Sequence, residues 1–204
     1  MIFKISCMEL FTKALQFASV KHQAQRRKNN GNIPYINHPI EVANILVHAG
    51  VNDMEVLAAG LLHDTVEDTD TTPEELEKEF GARIKNIVLE CSDDKSKDKA
   101  ERKRYQIEKA LKVSHEAKLV KMADKISNNT GLLIDPPPKW TPERVKGYFL
   151  WSQAVCNNLK GANEKLDTEI EAVFFKSGIS HLSQEEKNKL LEEYYELLLK
   201  SKEN

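Results

Sequence analysis

Glycine and cysteine are both scarce in this chain. Eight glycines in 204 residues leave few of the tight turns that hairpins use, and no alternating apolar pattern lies beside a turn dipeptide. The three cysteines, Cys7, Cys91 and Cys156, are widely spaced and make no C-x-x-C pair. They indicate neither a zinc ribbon nor a disulfide framework, and read as reduced thiols. Long apolar runs are absent too. Nothing approaches the ~20 residues of a membrane span, and Lys4, Glu9 and Lys13 interrupt the first stretch too soon for a signal-peptide core. Neither sign of charge prevails: 30 Lys and Arg face 32 Asp and Glu, whereas a general nucleic-acid binder carries a basic excess. The expectation is a cytoplasmic protein, monomer or homodimer, with no nucleic-acid or membrane partner. A local basic patch around one small anion remains compatible with that balance.

What the sequence does have is helical periodicity. Leu10, Phe11, Ala14, Leu15, Phe17, Ala18 and His22 predict a first helix from about Met8 to Lys28, broken by the Asn29–Asn32 stretch. A second starts at His38-Pro39, with proline in the first turn. A third, from about Asp53 to Val66, is apolar nearly all round and therefore central and buried. Thr72-Pro73 and Thr141-Pro142 open further helices, and Ser183-x-x-Glu186 is a capping box. Helices are also expected near Ala82–Glu90, Lys99–Val113, Ala117–Asn128 and Ala162–Lys176. Asp135-Pro136-Pro137-Pro138 cannot be helix interior. The reading is one all-α domain, a single compact helical bundle.

Chemistry concentrates where the central helix runs into His63-Asp64-Thr65-Val66-Glu67-Asp68. Imidazole and carboxylate are costly to bury without partners, and a metal ion is such a partner. His63 and Asp64 point about 100° apart on a helix, so both reach one ion off its end. Glu67 and Asp68 follow at i+4 on the same side, or on the turn that ends the helix. His38, at a helix start, and Asp124, a polar residue within an apolar-periodic helix, complete a set of two histidines and two aspartates. Such nitrogen and oxygen donors suit Mn²⁺, Fe²⁺ or Zn²⁺ with positions open for water. Each residue alone has a plainer reading: His38 as a cap, Asp124 as a partner of Lys121 or Lys125. Their combination carries the metal reading. His22, His48, His115 and His181 lack such company and read as structural or solvent-exposed.

His38, His63-Asp64 and Asp124, in that order in an all-α chain, resemble the H…HD…D signature of the HD superfamily. His63 to Thr69, Tyr35-Ile36-Asn37-His38-Pro39, Gln25 to Lys28 and Phe80-Gly81 further resemble the hydrolase domain of the RelA/SpoT family, above all its small stand-alone members. That resemblance implies an HD-type hydrolase domain over residues 1–180, followed by a C-terminal helical extension at 181–204. It also implies Mn²⁺-dependent cleavage of the 3′-pyrophosphate from guanosine tetra- and pentaphosphate. His38, His63, Asp64 and Asp124 would bind the metal, and Glu67 and Asp68 would orient or deprotonate the attacking water. Arg27, Lys28 and Asn128 would meet the nucleotide, with Arg144 and Tyr148 flanking the pocket. Lys99 or Arg102 is a further phosphate candidate within a segment that reads first as a solvated helix face.

One departure stands out. Where the family usually has an arginine after its asparagine, this chain has Thr130, in Asn128-Asn129-Thr130-Gly131. That leaves room for a phosphatase acting on another nucleotide, such as NADPH, or for a metal-nucleotide sensor without turnover. The apolar stripe Leu190, Leu191, Tyr194, Tyr195 and Leu198 predicts a last helix packed on its own domain, or a dimer contact.

Overall fold

The computed structural model describes residues 6–29 and 31–200. The outermost ends of the 1–180 and 181–204 stretches, and Asn30 of the expected first break, lie outside them. The helices are α1 (Cys7–Lys21), α2 (Asn37–His48), α3 (Met54–Leu62), α4 (Thr65–Asp68), α5 (Pro73–Phe80), α6 (Ala82–Cys91), α7 (Lys99–Lys109), α8 (His115–Ile134), α9 (Pro142–Leu159), α10 (Glu164–Lys176) and α11 (Gln184–Lys200). A single 3₁₀ turn, Ile179–His181, joins α10 to α11. Among the described residues the one β-type pairing is an isolated bridge between Arg26 and Pro34. No helix among them is long and apolar enough to cross a membrane.

Side-chain caps fix most of the helix starts. Ser6 closes a reciprocal capping box with Glu9, and Asp53, Thr72, Asp98, Ser114, Thr141 and Asn163 each accept a hydrogen bond from a first-turn amide. Each such cap contributes about 1 kcal/mol. Ser183 and Glu186 exchange the same reciprocal pair of bonds at the start of α11. Between α5 and α6 the chain turns on Gly81, whose φ of +86° strains any residue with a Cβ.

At the centre stands α3, every residue from Val56 to Leu62 buried. It packs against α1, α2, α6 and α8, and α8 in turn against α2, α6, α9 and α10. Each fully buried leucine or isoleucine in this core contributes roughly 1.5–3 kcal/mol. Gly60 sets the α2–α3 spacing: a Cβ there would lie 2.9 Å from Leu46 Cδ1. The absence of a side chain lets α2, which opens on His38, and α3, which leads into His63, approach closely.

Four boundaries differ by four or more residues from the sequence expectation, one being the end of α7 at Lys109 rather than Val113. The first helix stops at Lys21 rather than running to Lys28. There the His22 ring bonds to Gln25 at 2.7 Å, and the Arg27 amide donates to the Ile33 carbonyl, turning the basic stretch into a loop that folds back. α3 stops at Leu62, and the short α4 restarts after His63-Asp64. The Thr65 hydroxyl takes the Leu62 carbonyl at 2.7 Å, satisfying an acceptor that the interrupted helix leaves open. α8 continues past Asn128 to Ile134, ended by the residues before Pro136.

Candidate metal centre and ligand cleft

The interruption at His63-Asp64 directs both side chains toward α2 and α8. His38 Nε2 lies 3.2 Å from Asp124 Oδ1 and 3.6 Å from Asp64 Oδ2. His63 Nε2 lies 3.1 Å from Asp64 Oδ2 and 3.7 Å from Asp124 Oδ1. All four residues expected to hold the metal therefore meet, and one atom each from His38, His63 and Asp124 falls within a 4.8 Å cluster.

Outer hydrogen bonds fix which ring nitrogen faces inward. His63 Nδ1 is 2.8 Å from the Gly60 carbonyl, which can only accept, so Nδ1 carries the proton. His38 Nδ1 pairs with Ser127 Oγ at 2.9 Å, and that hydroxyl donates to Glu41 Oε2 at 2.8 Å. When neutral, each ring thus turns an Nε2 lone pair toward the two carboxylates. Both Nε2 atoms are buried without a hydrogen-bond partner. Lone pairs facing carboxylate oxygens in a dry site repel unless a cation stands among them. The protonation tendencies express the same demand. Burial alone would strip His63 of charge, yet Asp64 and Asp124 push its pKa well above the ordinary histidine range. Burial alone would raise Asp64, but the histidines hold it well below the usual carboxylate range. The donor set and the orphaned nitrogens fit a divalent metal.

Glu67 and Asp68 lie beside this cluster but are held by other groups. Glu67 Oε2 accepts the Asp93 amide at 2.9 Å. Burial, reinforced by Asp93 and Asp64, raises its pKa above the usual 4.5. Asp68 is nearer solvent and accepts from Gln25 Nε2 at 3.1 Å and Lys95 Nζ at 3.2 Å. One of the two carboxylates is therefore partly dry, with its pKa raised, and the other solvated and salt-bridged.

From the cluster a cleft of about 490 Å³ opens, a size ordinary for nucleotide-scale ligands. His63, Asp64, Glu67, Asp68 and Asp124 line one end. Arg27, Lys28, Asn128, Arg144 and Tyr148 all line the same cleft, as do Lys99 and Arg102. Arg27 reaches across from the α1–α2 loop to Asn128 Oδ1 at 3.1 and 3.2 Å. Asn128 Nδ2 in turn donates to Asp124 Oδ1 at 2.5 Å. Thr130 is half-buried on α8 and is not among the cleft residues. Of the remaining histidines, His22 is buried beneath Tyr35, ring centroids 4.9 Å apart, while His48, His115 and His181 are exposed.

Several cleft residues escaped the sequence reading. The Tyr35 hydroxyl donates to Asp64 Oδ2 at 2.5 Å. It belongs to the same Tyr-Ile-Asn-His stretch as His38, which was its available signal. Trp140 carries the Arg144 guanidinium 4.6 Å over its ring; its place straight after the proline run gave no periodicity to read. Lys103 stands 3.4 Å over Trp151, and burial next to Lys125 pushes its pKa down to about 7. Lys125, one of the plainer partners that the sequence offers for Asp124, is buried and does bond Asp124 Oδ2 at 2.7 Å.

An all-helical bundle whose central helices gather two histidines and two aspartates into a donor set suited to a divalent cation defines a class of metal-dependent phosphohydrolase. The match to the HD-domain model over residues 14–132 agrees with it: the chain belongs to the HD-domain family. It is 47% identical to the guanosine-3′,5′-bis(diphosphate) 3′-pyrophosphohydrolase MESH1 of Danio rerio, over 85% of this chain and 97% of that protein. The MESH1 of Homo sapiens is 48% identical over 82% of this chain and 94% of its own. A solved structure of a metazoan ortholog of SpoT, which hydrolyzes ppGpp, superposes with a TM-score of 0.81 at 47% identity, covering 83% of this chain and 96% of that one.

Proposed function

We propose that this protein is a metal-dependent 3′-pyrophosphohydrolase that converts guanosine tetra- and pentaphosphate to GDP or GTP and pyrophosphate. The observation that carries the reading is the junction, in one cleft, of a cation-demanding cluster with two carboxylates beside it and basic side chains beyond. The names of the relatives support the substrate class.

His38, His63, Asp64 and Asp124 would hold the metal, which we assign as Mn²⁺ because mixed nitrogen and oxygen donors with positions left open suit it. When bound, such an ion supplies Lewis acidity toward a phosphoryl oxygen and toward water. The protein's own groups do the rest. Glu67, partly desolvated, accepts the proton of the water that adds to the 3′ phosphorus as the ribose O3′–P bond breaks. Asp68 orients that water from the solvated side. Arg27 and Asn128 form a hydrogen-bonded unit over the ligand, and Lys28 and Arg144 neutralise its phosphates. Tyr148, packed tilted against Trp140 and edge-on against Trp151, contributes an aromatic ring toward the nucleotide. The substrate is a free small molecule in the cytoplasm; the even balance of charge over the chain does not favour nucleic acid.

Incubating Mn²⁺-loaded protein with guanosine tetraphosphate and separating the products tests this. GDP and pyrophosphate in equal amounts, abolished by a chelator and restored by Mn²⁺, is the expected result. An intact tetraphosphate beside rapid loss of a phosphate from NADPH would overturn the substrate assignment.

A further inference from the structure

The proposed chemistry draws on α2, α3, α4, α8 and α9 and gives α11 no part, yet α11 is built into the site. It packs on α9 and α7 with Tyr194 and Leu198 buried to 2% and 5% exposure, and both of these residues line the cleft. Gly147, one position before Tyr148, receives Tyr194. A Cβ at Gly147 would stand 2.4 Å from Tyr194 Cβ and 2.6 Å from its Cγ. The middle of α9 thus carries a residue that weakens a helix interior, and its missing side chain is the space that the tyrosine occupies. A second anchor ties α11 to α7: Arg104 Nη2 lies 3.0 Å from Glu192 Oε2, and the same guanidinium sits 4.0 Å over the Tyr195 ring. The alignment that spans 97% of the zebrafish relative spans 85% of this chain.

We infer that α11 is a wall of the ligand pocket, and that Tyr194 is a positioning residue that seats the Tyr148 segment of α9 and limits how far a nucleotide extends beyond it. This rests on the nucleotide reading of the cleft. The ring is packed against α9 at Gly147, in the space that a side chain there would fill. Its removal would open space continuous with the cleft, admit water against Tyr148, and leave a bound base with fewer contacts.

Calorimetric titration of the full chain with GDP tests the wall apart from turnover, because GDP has no 3′ phosphate to lose. Tyr194→Ala is expected to weaken GDP binding roughly five- to tenfold. It should raise KM for guanosine tetraphosphate by a like factor, with kcat within about twofold. Tyr194→Phe is expected to match the parent protein, since the ring and not its hydroxyl fills the space. Parent-like GDP affinity and KM in Tyr194→Ala would overturn the inference. If that variant fails to melt cooperatively by circular dichroism, Leu198→Ala is read in its place, with the same two outcomes. Parent protein that binds GDP but leaves the tetraphosphate intact would sink the hydrolase reading while the wall is still judged on GDP. Absence of GDP binding by the parent protein would overturn both.

Discussion

The two ends of the cleft are built on opposite plans. The metal end is set in the core: His38 and His63 are almost wholly buried, and each ring is held by a hydrogen bond at its Nδ1. The phosphate end is assembled from a folded-back loop carrying Arg27 and Lys28, and from α7, α9 and α11 at the periphery. Its contacts are cation-over-ring stacks and side-chain hydrogen bonds that span the gap, such as the pair from Arg27 to Asn128. Reaction type is therefore tied to the packing that keeps the protein folded. Ligand choice rests on elements that can change without disturbing that packing.

If this contrast is right, the losses should be graded. His63→Ala removes a donor whose neighbours cannot shift to replace it. Bound metal measured by mass spectrometry should be lost, and turnover should fall by roughly 10³-fold or more. Metal retained at full stoichiometry would break the comparison at its core end. Glu67→Ala comes next: metal content should stay unchanged while kcat falls about 10²- to 10⁴-fold. The parent protein sharpens this through pH. Glu67 accepts a proton only when ionised, and its pKa lies above the usual 4.5. The acid limb of kcat/KM should therefore fall above that value as pH drops, and the limb should vanish in the variant. Arg27→Ala is the mildest. It cuts the bridge to Asn128 and one cation, so KM should rise about tenfold, some 1.4 kcal/mol, with kcat little altered. A collapse of kcat in that variant would mean that the peripheral end also orders the reacting groups.

The sequence announces the core end far more clearly than the rim. A helix apolar on every side and then abruptly polar, as from Val56 to Asp68, is legible because only burial explains the first part and only a shared partner explains the second. The caps were legible for a similar reason, since Thr72-Pro73 and Thr141-Pro142 act within one turn. Side chains that work across space were not. Ser127 reads as one more polar residue on α8 until His38 is seen 2.9 Å away. Lys103 sits in a run of mixed charge, and nothing local distinguishes it from its solvated neighbours. The end of α1 was misjudged because Gln25 to Lys28 have good helix propensity, and the pairing of Arg26 with Pro34 is a tertiary preference that overrides it.

Four neighbouring positions on α8 serve four different clients. Asp124 faces the metal cluster, Lys125 extends over the Trp151 ring at 5.0 Å, Ser127 orients His38, and Asn129 ties to Ser152 of α9 at 2.6 Å. Because each step along a helix turns the chain by about 100°, inserting or deleting one residue in α8 would misdirect all four at once. This helix works like a camshaft, whose lobes keep their timing only while their angular order is preserved. Its allowed evolution is substitution in place, and changes of length are left to the loops and to the chain's final helix.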